Sequence, residues 1–195
     1  KQRLGLSHTL VFTAGSTRPG EEELLLGAFQ SLKGKFKSLK LILVPRHLDR
    51  VSEIEGLIRA CSLNYTLFSR LKKGYEVLLV DKMGVLTDMY SVADICFIGG
   101  TLVPVGGHNP VEAAYFRKPV LCGPFIKKNK EAFLKIIGNK GGVIVNDQAG
   151  LSAQLQYLLL HGSKRRAMGQ RAYRVVSRNQ GASGRIARFI MRSFS

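Results

Sequence analysis

Acidic residues and long apolar runs are both scarce in this sequence, and each shortage narrows what the chain can be. Only 13 Asp and Glu stand against 30 Lys and Arg in 195 residues, a formal charge of +17 at pH 7. That balance requires an acidic counterpart: nucleic acid, an anionic membrane surface or a phosphorylated ligand. No run approaches the ~18–20 uninterrupted apolar residues that span a bilayer. The most apolar stretch, 91–107, carries Asp94, Pro104 and paired glycines, so it is no membrane helix. Cys61, Cys96 and Cys122 lie far apart, without a CxxC or a disulfide framework, which suits a reducing compartment. His8, His47, His108 and His161 lack metal-ligand spacing, and no metal centre is expected. Aromatics are few and not interleaved with the basic residues, which argues against a nucleic-acid module. Neither a Walker loop nor GxGxxG occurs, so ATP hydrolysis and NAD binding lose their usual support.

What is present is a regular alternation of short apolar runs and helical patterns. With 45% apolar residues a sizeable core can form, and the length fits one domain over 1–195. Residues 1–8 read as a basic lead-in and 163–195 as a basic helical segment. The first residue is Lys1, not Met, and the chain reads as one cut from a longer protein. Strands are predicted over 9–14, 39–44, 65–69, 76–81, 94–98, 119–122 and 142–145. Helices are predicted over 21–33, 48–61, 85–91, from 109, and over 129–137, 151–160 and 163–179. Buried strands of four to six residues separated by helices indicate a Rossmann-like, doubly wound parallel sheet of the α/β class. Ligands of such sheets sit at the carboxyl ends of the strands, so chemistry is sought in the loops there.

Three such loops stand out. Gly15-Ser16-Thr17 directly follows the first strand and serves either as an anion cradle or as a tight turn with an N-cap. Pro45-Arg46-His47 ends the second, where a cation can meet a phosphate or carboxylate or merely lead into a helix. The third loop runs from Gly99-Gly100 to Gly106-Gly107-His108-Asn109-Pro110-Val111-Glu112. Asn109 and Glu112 resemble a capping box with Pro110 at the first helical position. Capping leaves the glycine pairs unexplained; they suit a backbone that approaches a ligand closely. Glu112 and Asn109 can accept hydrogen bonds from a ribose diol.

The run Gly106-Gly107-His108-Asn109-Pro110-Val111-Glu112-Ala113-Ala114 resembles the signature of the bacterial 3-deoxy-D-manno-octulosonic acid (Kdo) transferases, glycosyltransferases of the GT-B fold. Further stretches agree in order: Ala14-Gly15-Ser16-Thr17 with Gly20-Glu21-Glu22, then Ile42 to His47, Asp81-Lys82-Met83-Gly84 and Asn179-Gln180-Gly181-Ala182. The resemblance implies the C-terminal, sugar-nucleotide half of such an enzyme, with the acceptor domain lying outside this chain. It implies transfer of Kdo from CMP-Kdo to a phosphorylated lipid A precursor, with inversion and without a metal or other cofactor. The place would be the cytoplasmic face of the inner membrane. Asn109 and Glu112 would hold the ribose, and Pro45 and Met83 would flank the cytosine. Ser16, Arg46 and the backbone of Gly106, Gly107 and His108 would hold the phosphate, with Gly15, Thr17 and His47 beside them. The general base would be a carboxylate of the other half, leaving no catalytic residue here. Lys82, Val85, Lys127 and Lys128 depart from the family pattern.

From His161 onward there are nine Lys and Arg and no acid. Arg171, Arg174 and Arg178, then Arg185, Arg188 and Arg192, repeat at helical spacing. Either row makes a solvated face or a stripe for an anionic membrane surface. Val175, Ile186, Phe189 and Ile190 add a partial apolar face. Two other readings remain at this stage: a GT-B domain for a UDP-sugar, and a basic nucleic-acid-binding module.

Overall fold

The structure, a computed structural model, describes residues 1–178. The match at Asn179 to Ala182, the second arginine row and the apolar residues Ile186, Phe189 and Ile190 lie outside the described residues.

Seven strands pair in parallel throughout. They are β1 (Val11–Thr17), β2 (Lys40–Pro45), β3 (Tyr65–Leu67), β4 (Val77–Leu79), β5 (Ile95–Ile98), β6 (Val120–Cys122) and β7 (Gly142–Ile144). Their order is β3-β4-β2-β1-β5-β6-β7. The helices between them are α1 (Glu21–Lys33), α2 (Val51–Ala60), α3 (Leu86–Val92), α4 (Val111–Tyr115), α5 (Lys130–Gly138), α6 (Gln148–Leu160) and α7 (Gly162–Arg178).

The strands are apolar on both faces because both faces are covered. Leu41 and Leu43 of β2 and Ile95 and Phe97 of β5 point to one side, against Leu25 and Phe29 of α1, Ile54 and Ile58 of α2, and Leu151, Leu155 and Leu158 of α6. Their neighbours point to the other side. Cys96 and Ile98 meet Tyr90 of α3, Ala113 of α4, Phe133 of α5 and Ala172 of α7. Ile42 and Val44 meet Met89 of α3 and the fully buried Leu6. The segment read as a lead-in is thus part of the body, and Lys1 pairs with Asp94 at 2.9 Å.

The boundaries differ from the sequence pattern where residues of turn type lie between paired strands. β1 runs on through Gly15-Ser16-Thr17 instead of ending at Ala14, with an irregularity in its pairing to β2 between Gly15 and Thr17. Ser16 makes it by adopting φ 57°, the left-handed region that a side chain seldom enters. The capping box also fails to form. Asn109 Oδ1 accepts the Val111 N–H at 3.0 Å, but Glu112 turns to Thr87 instead of back along its helix. In α7, Arg171 donates to the Lys140 carbonyl at 2.8 Å, so the first member of the basic row fastens the α5–β7 corner. No helix among the described residues is long and apolar enough to cross a membrane.

The chain passes from β1 to β2 on one side, and later from β4 through α3 to β5 on the other. The sheet therefore reverses its winding between β1 and β5, so the connections leaving their carboxyl ends run to opposite faces, the place where such sheets form a crevice.

Candidate functional site

The glycine-rich loop enters this crevice directly after β5. Gly99 donates its N–H to the Gly15 carbonyl at 2.8 Å. A Cβ on Gly99 would stand 2.2 Å from the Ser16 carbonyl oxygen, and one on Gly15 would stand 2.1 Å from the Tyr90 hydroxyl. Position 99 needs glycine so that the two strand ends can touch, and Gly15 leaves room for Tyr90 and Leu86 of α3 against β1. The loop is then held by a carboxylate. Glu21, wholly buried at the start of α1, accepts N–H groups from Gly100 at 2.7 Å, Thr101 at 3.0 Å and Leu102 at 2.9 Å. A fourth comes from Arg18, also at 3.0 Å. Burial raises the Glu21 carboxyl above its ordinary range, and the four amides work against that by solvating the charged form. Next to it Glu22, equally buried, is paired with Arg50 at 2.9 Å.

Around the loop the cations converge. Arg18 Nη1 lies 2.7 Å from His47 Nε2, and Arg18 Nε donates to His108 Nε2 at 3.4 Å. A guanidinium only donates, so the His108 ring presents a lone pair at Nε2 and carries its proton on Nδ1. Arg46 joins the group by its N–H, which donates to the Thr17 carbonyl at 3.1 Å. The half-buried His108 is pushed down to about 4, first by burial and then by Arg18, Arg46, Lys128 and His47. A ring that cannot hold its proton among so many positive groups marks a place where an anion is favoured. Thr17 Oγ1, buried at the end of β1, has no hydrogen-bond partner among the described residues.

A second part of the site is acidic. Glu112 Oε2 accepts from the Thr87 hydroxyl at 3.2 Å, and burial raises its pKa while that hydrogen bond opposes the shift. Asn109, whose Oδ1 accepts the Val111 N–H just ahead of α4, lies three residues before it. Met83 stands 61% exposed on the loop that leads into α3, four residues before Thr87. Among the described residues no three His, Cys, Asp or Glu side chains are grouped to hold a metal ion.

The structure therefore brings together Gly15, Ser16, Thr17, Arg46, His47 and the third loop at one sheet edge. It sets the Glu112 end of that loop against α3. The amides of Gly107 and His108 already donate to Gly100 at 2.7 Å and Gly99 at 3.1 Å, so side chains are the principal anion-facing groups. Two residues of the site were missed in the sequence. Arg18 sits within the first loop but gains meaning only beside two distant histidines. Glu21 belongs to the stretch Gly20-Glu21-Glu22, but the loop amides that give it a role lie 79 to 81 positions away.

Comparison with known proteins follows the same line. No family model matches the chain. The 3-deoxy-D-manno-octulosonic acid transferase of Haemophilus influenzae is 34% identical over 180 residues, 90% of this chain and 42% of that protein. The same enzyme of Aquifex aeolicus is 38% identical over 148 residues, 75% of this chain and 41% of that one. The chain belongs to the Kdo transferase family. A bifunctional glycosyltransferase/methyltransferase of Fusobacterium nucleatum is 44% identical over 149 residues, 74% of this chain but 23% of that protein. The chain thus spans less than half the length of these relatives. Among solved structures, the C-terminal CMP-Kdo binding domain of WaaA from Acinetobacter baumannii superposes with a TM-score of 0.84 at 26% identity. That match covers 90% of this chain and 93% of that domain. The C-terminal domain of the Francisella tularensis group 1 glycosyl transferase LpcC, at 16% identity and a TM-score of 0.62, shares the fold. This Kdo-transferase-family chain accordingly has the architecture of a GT-B C-terminal domain.

Proposed function

We propose that the chain is the CMP-Kdo-binding half of an inverting Kdo transferase, acting with an acceptor-binding half that carries the general base. The observation that supports this best is the convergence of Arg18, Arg46, His47 and His108 at the β1–β5 crevice, in a chain of this family. In the transfer, an acceptor hydroxyl attacks the anomeric carbon of Kdo from the face opposite the phosphate. The bond from that carbon to the phosphate oxygen breaks, and its electron pair leaves on CMP. The hydroxyl proton passes to the base of the other half. The charge that grows on the departing phosphate is what cationic side chains in a half-dry crevice stabilise. Arg18 and Arg46 supply fixed positive charge, and His108 gains a reason to hold a proton once the phosphate arrives. The unpaired Thr17 hydroxyl and the Ser16 bulge lie at the same strand end.

In this reading Glu112 takes the ribose diol, with Asn109 beside it, and Pro45 and Met83 flank the cytosine. Charge neutralisation falls to side chains, and no metal or other cofactor is assigned. The acceptor is a phosphorylated lipid A precursor at the cytoplasmic face of the inner membrane. Exposed basic residues such as Arg174 then suit an anionic surface, and nucleic acid is no partner.

Calorimetry with CMP tests the assignment. Glu112→Ala and Arg46→Ala are each expected to abolish binding, while the chain alone transfers no Kdo. Unchanged CMP binding in Glu112→Ala overturns the ribose assignment, and Kdo transfer by this chain alone overturns the placement of the base.

A further inference from the structure

Beside the cationic cluster the structure holds a cleft of about 610 Å³ that, of the residues assigned so far, only Gly106 lines. Its walls are the glycine-rich loop (Pro104, Val105) and the segment after β6, with Phe125, Lys127, Lys128 and Lys130. Three hydrogen bonds join the two walls. Phe125 N–H donates to Thr101 O at 2.9 Å, Lys128 N–H to Gly106 O at 2.7 Å, and Asn129 Nδ2 to Gly107 O at 3.0 Å. The cleft is thus formed before any ligand enters, and its size suits a small molecule. Phe125, 42% exposed, offers it an apolar face. Among the described residues none of the three lysines has an ion pair, because the neighbouring Glu131 is paired with Lys135.

We infer that this cleft receives the acidic sugar of the donor, and that Lys128 reads its carboxylate. The inference rests on the donor-binding reading above and goes beyond it to a specificity-determining residue. The chemistry of an octulosonic acid donor supports it. Its carboxylate is attached to the anomeric carbon, the same carbon that bears the phosphate oxygen, so the two anionic groups lie within a few bonds of each other. The receiving cation must therefore border both the phosphate cluster and the sugar cleft. Lys128 does so: its side chain lies against Gly106, it lines the cleft, and its charge acts on His108. A neutral hexose linked to a nucleotide offers no carboxylate at that place.

The test compares CMP with CMP-Kdo by calorimetry on the 195-residue chain and its variants. A charge-assisted hydrogen bond of ordinary strength makes CMP-Kdo bind about tenfold tighter than CMP. Lys128→Ala is expected to bring that ratio to about one while CMP affinity falls no more than about threefold, and Lys128→Arg to restore most of it. Lys128 is exposed, so the variants keep the fold, and circular dichroism checks this. A ratio unchanged in Lys128→Ala overturns the inference, as does an equal loss for both ligands, which places Lys128 on the phosphate alone. Failure of the unaltered chain to bind CMP overturns the donor-binding reading and this one with it; CMP binding with no gain from the sugar overturns only this one.

Discussion

His108 is the residue whose state responds most to a bound anion. Its ring titrates near 6.5 when unfolded and at about 4 when folded, held down by burial and by Arg18, Arg46, Lys128 and His47. Between those values the unfolded chain holds the extra proton. The stability contributed by the neutral ring is therefore full above about 6.5 and lost as pH falls through about 4. His108→Gln should flatten the dependence of stability on pH across that window, as read by urea unfolding at a series of pH values. A bound phosphate reverses the electrostatic balance. An NMR titration of the His108 ring is expected to show its pKa rising when CMP is added. A pKa that does not move on CMP addition places the phosphate elsewhere.

The elements explain why the site has its shape. Glu21→Ala leaves three loop amides without their buried acceptor, a loss on the order of 3 kcal/mol. Gly99→Ala forces a Cβ against the Ser16 backbone, at a cost of about 3 kcal/mol. Urea unfolding is expected to show both losses, and CMP binding should weaken in Glu21→Ala because the loop is no longer clamped. Full stability of Gly99→Ala contradicts the close contact of the β1 and β5 ends. The strands and helices themselves were legible in the sequence, since runs such as Leu41 to Val44 and the Glu21–Lys33 pattern reflect burial periods set locally. Partnerships set at long range were not. Glu21 meets its amides 79 to 81 positions away, and Arg18 meets His108 after 90. The end of β1 was misplaced for a similar reason: Gly15-Ser16-Thr17 has the composition of a turn, and only its two neighbouring strands hold it extended around the Ser16 bulge.

At the scale of the whole molecule, the excess of positive charge serves separate tasks. Arg50 neutralises the buried Glu22 and Arg171 ties α7 to the body, so these cations belong to the fold. Arg18 and Arg46 gather with His47 and His108 at the point where the sheet reverses its winding, and in the proposed reading they serve the phosphate while Lys128 serves the sugar carboxylate. The central claim is that this crevice is shaped for a cytidine nucleotide, with Glu112 on its ribose and the cations on its phosphate. Calorimetric titration of the chain with CMP, followed by displacement with UMP, tests it most directly. The expected result is saturable binding of CMP at one site, abolished in Glu112→Ala and not displaced by UMP. Displacement by UMP with the same strength, or the absence of any CMP binding, contradicts it.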